Sequence, residues 1–376
     1  MSTTAVELGT VLDFFNGKAP PNDGDGDFVV YGSNGIIGQA KSANHENAII
    51  LGRVGAYCGS VEFCDDKFWA SDNTIVVKTK DGFDLKYMYY RLKSFPLRSY
   101  AGGAAQPLLT QTILRRVRIP IVLDNSRQVK IASILSAYDD LIENNRRRIQ
   151  LLEQAARLLY KEWFVHLRFP GHEHVKIKDG VPEGWERKKI AEVCQTIGGG
   201  TPSTKVSEYW DGDITWVVPS DITNNNSLVL LESGRKITEK GLRESSAKLV
   251  PAESILMTSR ASVGYFALVD HEVCTNQGFI NIVPYDEQPR MYLLFNLLSR
   301  VNEIRGNAKG TTYPEISKGR FREMDIIIPK KTLMNQFGKT AYDIIRQIRC
   351  LMRSNMKLTK ARDLLLPRLM NGEIAV

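Results

Sequence analysis

Cysteine is scarce in this sequence, with five in 376 residues at Cys58, Cys64, Cys194, Cys274 and Cys350. So few, odd in number and scattered, they argue against a disulfide framework and for free thiols in a reducing compartment. No run of about 18 apolar residues occurs, so no membrane span is expected. The stretch up to Phe15 has no basic segment leading into an apolar one, so no secretory signal is expected and the cytoplasm is the expected location. Catalytic signatures are missing too. There is no Gly-x-x-x-x-Gly-Lys-Ser/Thr nucleotide loop and no Asn-Pro-Pro-aromatic or Asp-Pro-Pro-Tyr motif of an amino-methyltransferase. Gly198-Gly199-Gly200 lacks the strand–glycine–helix context of a dinucleotide site and reads as a turn. His172 and His174, with His166 nearby, invite a metal reading, but a site needs three or four ligands. No cysteine or carboxylate cluster sits at a metal spacing, so no metal site is expected and this stretch reads as a solvated connector.

What is present is an ordinary globular composition, 43% hydrophobic and 24% charged, which excludes a disordered or collagen-like chain. Lysine and arginine number 50 against 42 aspartate and glutamate, a net charge of +8. That excess fits a polyanionic partner and equally a merely soluble surface. Length alone predicts two to three domains.

Self-similarity organises the chain. Leu8 to Pro20 is answered by Ile190 to Pro202, with aliphatic, Val, Gly and Pro positions coinciding. Gly26-Asp27-Phe28-Val29-Val30 is answered by Gly212-Asp213-Ile214-Thr215-Trp216. Leu51-Gly52-Arg53-Val54-Gly55 is answered by Thr258-Ser259-Arg260-Ala261-Ser262-Val263-Gly264. An Ile-Pro step, Ile119-Pro120 and Ile328-Pro329, closes each β-rich stretch, and a glutamine, Gln128 or Gln336, opens a long helical pattern after each. The expected architecture is α/β or α+β: two pseudo-symmetric globular modules and two long coiled-coil helices. The expected boundaries are a first module at 1–127, a helix at 128–165, a connector at 166–185, a second module at 186–335 and a helix at 336–372. Short helices are expected at Leu85 to Lys93 and Met291 to Arg305.

The first long helix carries an apolar stripe at alternating steps of four and three, through Ile131, Leu135, Tyr138, Ile142, Asn145, Ile149, Leu152, Ala156, Leu159 and Trp163. That is a coiled-coil seam. The second runs Phe337, Ala341, Ile344, Ile348, Leu351, Asn355, Leu358, Arg362, Leu365 and Leu369. Arg362 interrupts it, and Pro367 predicts an end or kink near Leu366. Asn145 and Asn355 each place an amide in the seam, the kind of residue that fixes register. Neither helix buries its seam alone, so each is the natural partner of the other. A repeated module on a rigid spacer suits a long, periodic ligand such as duplex DNA.

Several loops are rich in groups that read or hold nucleic acid. In the first module these are Lys18, Ser33 and Asn34 within Tyr31 to Gly35, Arg53 between glycines, and Gln106 within Gly102-Gly103-Ala104-Ala105-Gln106-Pro107. In the second they are Thr201, Ser203, Thr204 and Lys205, then Ser220, Arg260, and Lys309 with Thr311, Thr312 and Tyr313. Arginine suits guanine O6 and N7, amides suit adenine, and Lys, Ser and Thr commonly hold phosphates. Arg53 and Arg260, matched in the repeat, are the leading pair.

Gly310-Thr311-Thr312-Tyr313-Pro314-Glu315-Ile316-Ser317, then Met324 to Pro329, then a helix closing in Leu364 to Gly372, resembles the specificity subunit of type I restriction-modification systems. Gln128 through Phe164 shows the same architecture in the first half. The resemblance implies two target-recognition domains that each read half of a split, asymmetric DNA sequence, and two antiparallel helices that set the gap between the halves. It implies docking of two methyltransferase subunits, and of restriction and translocase subunits in a full complex. S-adenosylmethionine, ATP and Mg would then belong to those partners, with no cofactor and no catalysis on this chain. The first half departs from the pattern in having Ala105-Gln106-Pro107 where the second has Thr312-Tyr313-Pro314. A protein–protein scaffold and a nuclease with a scattered site are the rival readings.

Overall fold

Short runs of β-branched and aromatic residues, bounded by Gly, Asn and Asp, become strands because such side chains suit a pleated, packed surface. In the computed structural model, which describes residues 3–376 apart from 22, 23, 25, 104, 105, 287–289 and 375, these strands fall into two units. Met1–Asn144 with Asn355–Val376 is the first unit, and Asn145–Ser354 is the second.

The first unit holds a six-stranded sheet in the order Leu12–Asn16, Thr74–Thr79, His45–Gly52, Val61–Ala70, Phe28–Gly32, Gly35–Ala40. All its neighbours are antiparallel except Phe28–Gly32 against Val61–Ala70. The two-residue period of a strand sends alternate side chains to opposite faces. Ile49 and Leu51 enter a core with Tyr87, Met88, Ile131, Leu135, Leu369 and Met370, whereas Ala48 and Ile50 enter a second one with Tyr31, Phe68 and Val76. Both faces are covered.

The second unit repeats the arrangement with its sheet divided in two. Five strands run in the order Cys194–Gly198, Phe279–Pro284, Ile255–Thr258, Phe266–Val269, Val229–Leu230. Four more run Lys236–Ile237, Trp210–Val217, Val273–Thr275, Leu249–Val250. Ile255 and Met257 face the large helical core, and Leu256 faces the other side with Val217 and Phe279. In each unit a strand ending at the Ile-Pro step pairs with the entry strand: Arg118–Ile121 with Thr4–Glu7, and Asp325–Ile328 with Glu186–Lys189. With mostly antiparallel neighbours, the architecture is α+β.

Leu85–Lys93 is a helix as expected, capped by the Asp84 side chain accepting from the Tyr87 N–H at 2.7 Å. The stretch expected as one helix from Met291 to Arg305 is instead two, Arg290–Ser299 and Val301–Gly306. Arg300 leaves helical geometry between them, and its guanidinium is held by both oxygens of Glu303, at 2.7 and 2.6 Å.

The first long helix spans Asn125–Tyr160 and continues as a π-helical turn, Lys161–Val165. It starts three residues before Gln128 because the Asp124 carboxylate accepts from the Arg127 N–H and the Ser126 hydroxyl. Gln128 is fully buried, accepting from the Asp84 N–H and donating to the Val122 carbonyl. The second helix spans Lys331–Met370. In the first unit, Asn355 donates to the Ile142 carbonyl at 3.3 Å, and Arg362 pairs with Asp139. Later residues of one helix meet earlier residues of the other, so the two run antiparallel. In the second unit Ile149, Ala156 and Tyr160 share a core with Phe337, Ala341, Ile345, Ile348 and Leu351.

The second helix departs from the sequence reading in two details and accounts for a third. Ile345 is fully buried and Ile344 only partly, because a straight helix drifts from a strict 3.5-residue seam. Arg362 interrupts the stripe to meet the carboxylate of Asp139. Pro367 does not end the helix, which runs on to Met370 with Leu369 and Met370 anchored in the first unit's core.

Candidate nucleic-acid interface

In the first unit one hydrogen-bonded frame ties five loops together. The N–H of Gly17 donates to the Thr74 carbonyl, and that of Lys18 to Ala70. The Arg53 N–H donates to Asn73 and the Leu109 N–H to Arg53 (both 2.9 Å), and Gly55 donates to Pro107 at 3.0 Å. Ser33 is the knot: its hydroxyl donates to the Asn73 carbonyl and accepts from the Val54 N–H, while its carbonyl accepts from the Ser60 hydroxyl. Gly102 and Leu108 exchange backbone bonds, closing the loop that carries Gln106.

The second unit repeats this frame. Gly200 donates to Thr275, Ser259 to Gly278, Ile316 to Ser259 and Ala261 to Pro314, and Lys309 exchanges bonds with Glu315. Tight approach explains glycine at two matching places. A Cβ at Gly17 would lie 1.9 Å from the Ser71 carbonyl oxygen, and one at Gly199 would lie 2.0 Å from that of Asn276. The glycine run at 198–200 is therefore a packing feature.

The shared bonds fix which residues correspond. Lys18 stands with Gly200, Gly102 with Lys309, Gly103 with Gly310, Gln106 with Tyr313, and Leu108 with Glu315. Arg53, whose N–H and carbonyl make the bonds that Ser259 makes, stands with Ser259. Val54, bridged to Leu108, stands with Arg260, bridged to Glu315. The expected Arg53–Arg260 pairing is thus displaced by one residue. Identical letters suggested one register, but the left-handed turn sets another: Gly55 (φ 74°) matches Ala261 (φ 60°), and Gly59 matches Gly264.

The displacement gives the two arginines different surroundings. Arg53 is half-buried, with one guanidinium nitrogen 3.5 Å from the Asp72 carbonyl and its Nε enclosed without a partner. The Arg260 side chain is 51% exposed and gives Nε and Nη2, each at 3.0 Å, to one oxygen of Glu315. An exposed pair of this kind is worth little and yields readily to a ligand.

Most of the other candidate side chains stand on these same loops, whereas Ser220 sits on the short helix Pro219–Thr223. Lys18, Asn34 and Gln106 are exposed in the first unit, and Ala104 and Ala105 of the Gln106 loop lie outside the described residues. In the second, Ser203, Thr204, Lys205, Ser220, Lys309, Thr311 and Thr312 are exposed, and Tyr313 reaches 71% exposure. Thr201 is half-buried and donates to the Gln277 side chain. Ser203 accepts the indole N–H of Trp210 on its carbonyl at 3.1 Å. The sequence reading missed the Ser71-Asp72-Asn73 and Asn276-Gln277-Gly278 turns that brace each frame. Their signal was present, as turn-forming residues at matching places beside β-runs.

Chemically this is a surface of hydrogen-bonding and cationic groups. Burial pushes the Cys194 thiol up to about 12 and the Cys274 thiol up to about 11, which keeps both protonated and unreactive. All five cysteines are free. Among the described residues no three or more His, Cys, Asp or Glu side chains are grouped to hold a metal ion, and no helix is long and apolar enough to cross a membrane.

Two units with one backbone frame and different side chains on it define a class: a duplicated recognition scaffold. Residues 3–154 and 182–348 match the type I restriction modification DNA specificity domain, and the chain belongs to that family. It is 26% identical over 411 aligned residues to the HindI specificity subunit of Haemophilus influenzae, covering 90% of this chain and 89% of that one. Against the MjaIX specificity subunit of Methanocaldococcus jannaschii it is 38% identical over 151 residues, 40% of this chain but 35% of that relative. The solved S subunit of the M. genitalium type I system shares its fold, with a TM-score of 0.65 at 18% identity over 98% of this chain and 96% of that one.

Proposed function

We propose that this chain is the sequence-reading subunit of a type I restriction-modification complex and is not itself a catalyst. Each unit reads one half of a bipartite DNA target through its loop frame. The long helices set the gap between the halves and dock methyltransferase subunits, with restriction and translocase subunits joining a full complex in the cytoplasm. S-adenosylmethionine, ATP and Mg act on those partners. The observation that carries this reading is one hydrogen-bonded frame, built twice, with unlike side chains at equivalent places: Gln106 against Tyr313, Val54 against Arg260, Gly102 against Lys309. A constant frame with variable contacts is what reading two different half-sites requires.

The test is a genome-wide map of N6-methyladenine in the source strain with and without this gene. Loss of one bipartite methylated motif on deletion is expected, and it delivers both half-sites and the gap. An unchanged map in a strain whose methyltransferase subunits are expressed and active would overturn the reading.

A further inference from the structure

The hairpin Phe28–Gly32 and Gly35–Ala40 turns through Ser33 and Asn34 at the edge of the first unit's sheet. Past the turn stand Ile36 and Ile37, 61% and 49% exposed. The pairing register slips by one residue here, with Tyr31 opposite Ile36 and Val30 opposite Gly38, and this bulge at Ile37 lets both side chains stand in solvent. Glycines flank the pair, and a Cβ at either Gly35 or Gly38 would meet nothing within 4 Å. Long apolar side chains on an edge strand are an aggregation hazard that proteins ordinarily blunt with charge. Here none has been placed, although Gln39 beyond them is polar and exposed.

The turn of this ribbon belongs to the loop frame, since Ser33 bonds Asn73, Val54 and Ser60. Cations surround that part of the frame: Lys18, Arg53, and Arg98, which donates to the Ala56 carbonyl beside exposed Tyr57. Arg53 meets the backbone carbonyl of Asp72, and the anions acting on Tyr31, opposite Ile36, are Glu62 and Asp65. The hairpin forms the edge of the sheet, joined to it through Val30 and Tyr31, and a β-hairpin is an element that the major groove of duplex DNA admits, with the thymine C5-methyl as the apolar feature on offer. Among the described residues the second unit has no such hairpin: after Val217, which matches Tyr31, its chain enters the short helix Pro219–Thr223.

We infer that the Gly35–Ala40 ribbon of the first unit enters the major groove and that Ile36 and Ile37 read thymine methyl groups in that unit's half-site. The inference rests on the DNA-reading role proposed above.

The test uses the full chain with the methyltransferase subunits that co-purify with it. Its target duplex is compared with one carrying deoxyuridine for thymine across the first unit's half-site. The native complex is expected to bind the deoxyuridine duplex about fourfold more weakly for each thymine methyl that the ribbon covers. Ile36→Ser/Ile37→Ser is expected to bind the thymine duplex with the same loss and to ignore the replacement. Ile36→Val/Ile37→Val, still apolar, is expected to keep the discrimination. A native complex indifferent to deoxyuridine, or a serine variant that still discriminates, overturns the inference and leaves the DNA-reading role standing. Failure to bind any duplex removes both. A serine variant that changes only the oligomeric state assigns the ribbon to a second copy of this chain and overturns the inference.

Discussion

The two units hold their loops with the same backbone bonds and arm them differently. In the first, the place matching Arg260 is Val54, the place matching Lys309 is Gly102, and an exposed Ile-Ile ribbon projects. In the second, charged and aromatic groups occupy those places, and Glu315 already holds Arg260. The comparison teaches that the duplicated part is the scaffold and the divergent part is the contact chemistry. At these matched places the first unit carries glutamine, valine and glycine, and the second carries tyrosine, arginine and lysine.

The strongest way to break the comparison is to alter what the two frames share. Inserting or deleting one helical turn within 131–165 is expected to abolish methylation of the native target and create a new target with the same half-sites and a changed gap. Methylation mapping reads this directly, and altered bases with an unaltered gap would contradict the spacer role. Next, Gly17→Val and Gly199→Val should each cost about 2–3 kcal/mol, because a side chain there collides with backbone. Thermal melts should show both to be damaging. If only one is, the frames are not equivalent.

A smaller substitution sharpens the comparison. Arg260→Ala should leave stability within about 0.5 kcal/mol and weaken specific binding by about 1–3 kcal/mol, because its exposed guanidinium is available to a base. Arg53→Ala should do the reverse, lowering the melting point of the first unit more than it weakens binding, because its stem is half-buried in the frame. Binding titrations and melts that rank the two variants alike would restore the pairing of the two arginines.

Much of this was legible in the sequence because it follows from local pattern. The seam from Ile131 to Trp163 needs only a 3.5-residue repeat, and Leu85–Lys93 needs only a capping aspartate and a helical run. The entry segments at Leu8 and Ile190 matched in letters and match in structure, each beginning a four-residue helix whose first N–H donates to the residue just before the Ile-Pro strand, Val117 or Met324. What was illegible depends on long-range bonding. Arg53 and Arg260 matched as letters, but the partners Leu109 and Ile316, far along the chain, decide their true positions. Exposure of both Ile36 and Ile37 was not legible, since it follows from a one-residue slip in their pairing with Phe28–Gly32 that no local pattern marks. Arg362 read as a fault in the seam because its partner Asp139 lies on the other helix.

The finest test compares two carboxylates on the first long helix. Asp139, in the first unit, accepts from Arg362 and from the Tyr90 hydroxyl. Glu153, in the second, accepts from neutral donors, the Ser227 hydroxyl at 2.7 Å and the Leu228 N–H at 2.6 Å. Burial raises the Glu153 carboxyl above its ordinary range, and those two bonds, with the charge of Arg157, offset only part of the rise. A raised carboxyl contributes its stability in full below the unfolded-chain value and loses it as pH rises through the folded one. Above that point the native protein carries a buried charge, which Glu153→Gln removes while keeping an acceptor for both donors. The variant should therefore melt higher than the native protein at pH 8, and its advantage should shrink as pH falls through the glutamate range. Asp139→Asn should instead cost about 1–2 kcal/mol at pH 8, because it strips Arg362 of a partner in a half-buried setting. Melts at both pH values separate the cases. A glutamine variant less stable at pH 8 would show that the two hydrogen bonds to the ionised carboxylate outweigh its burial.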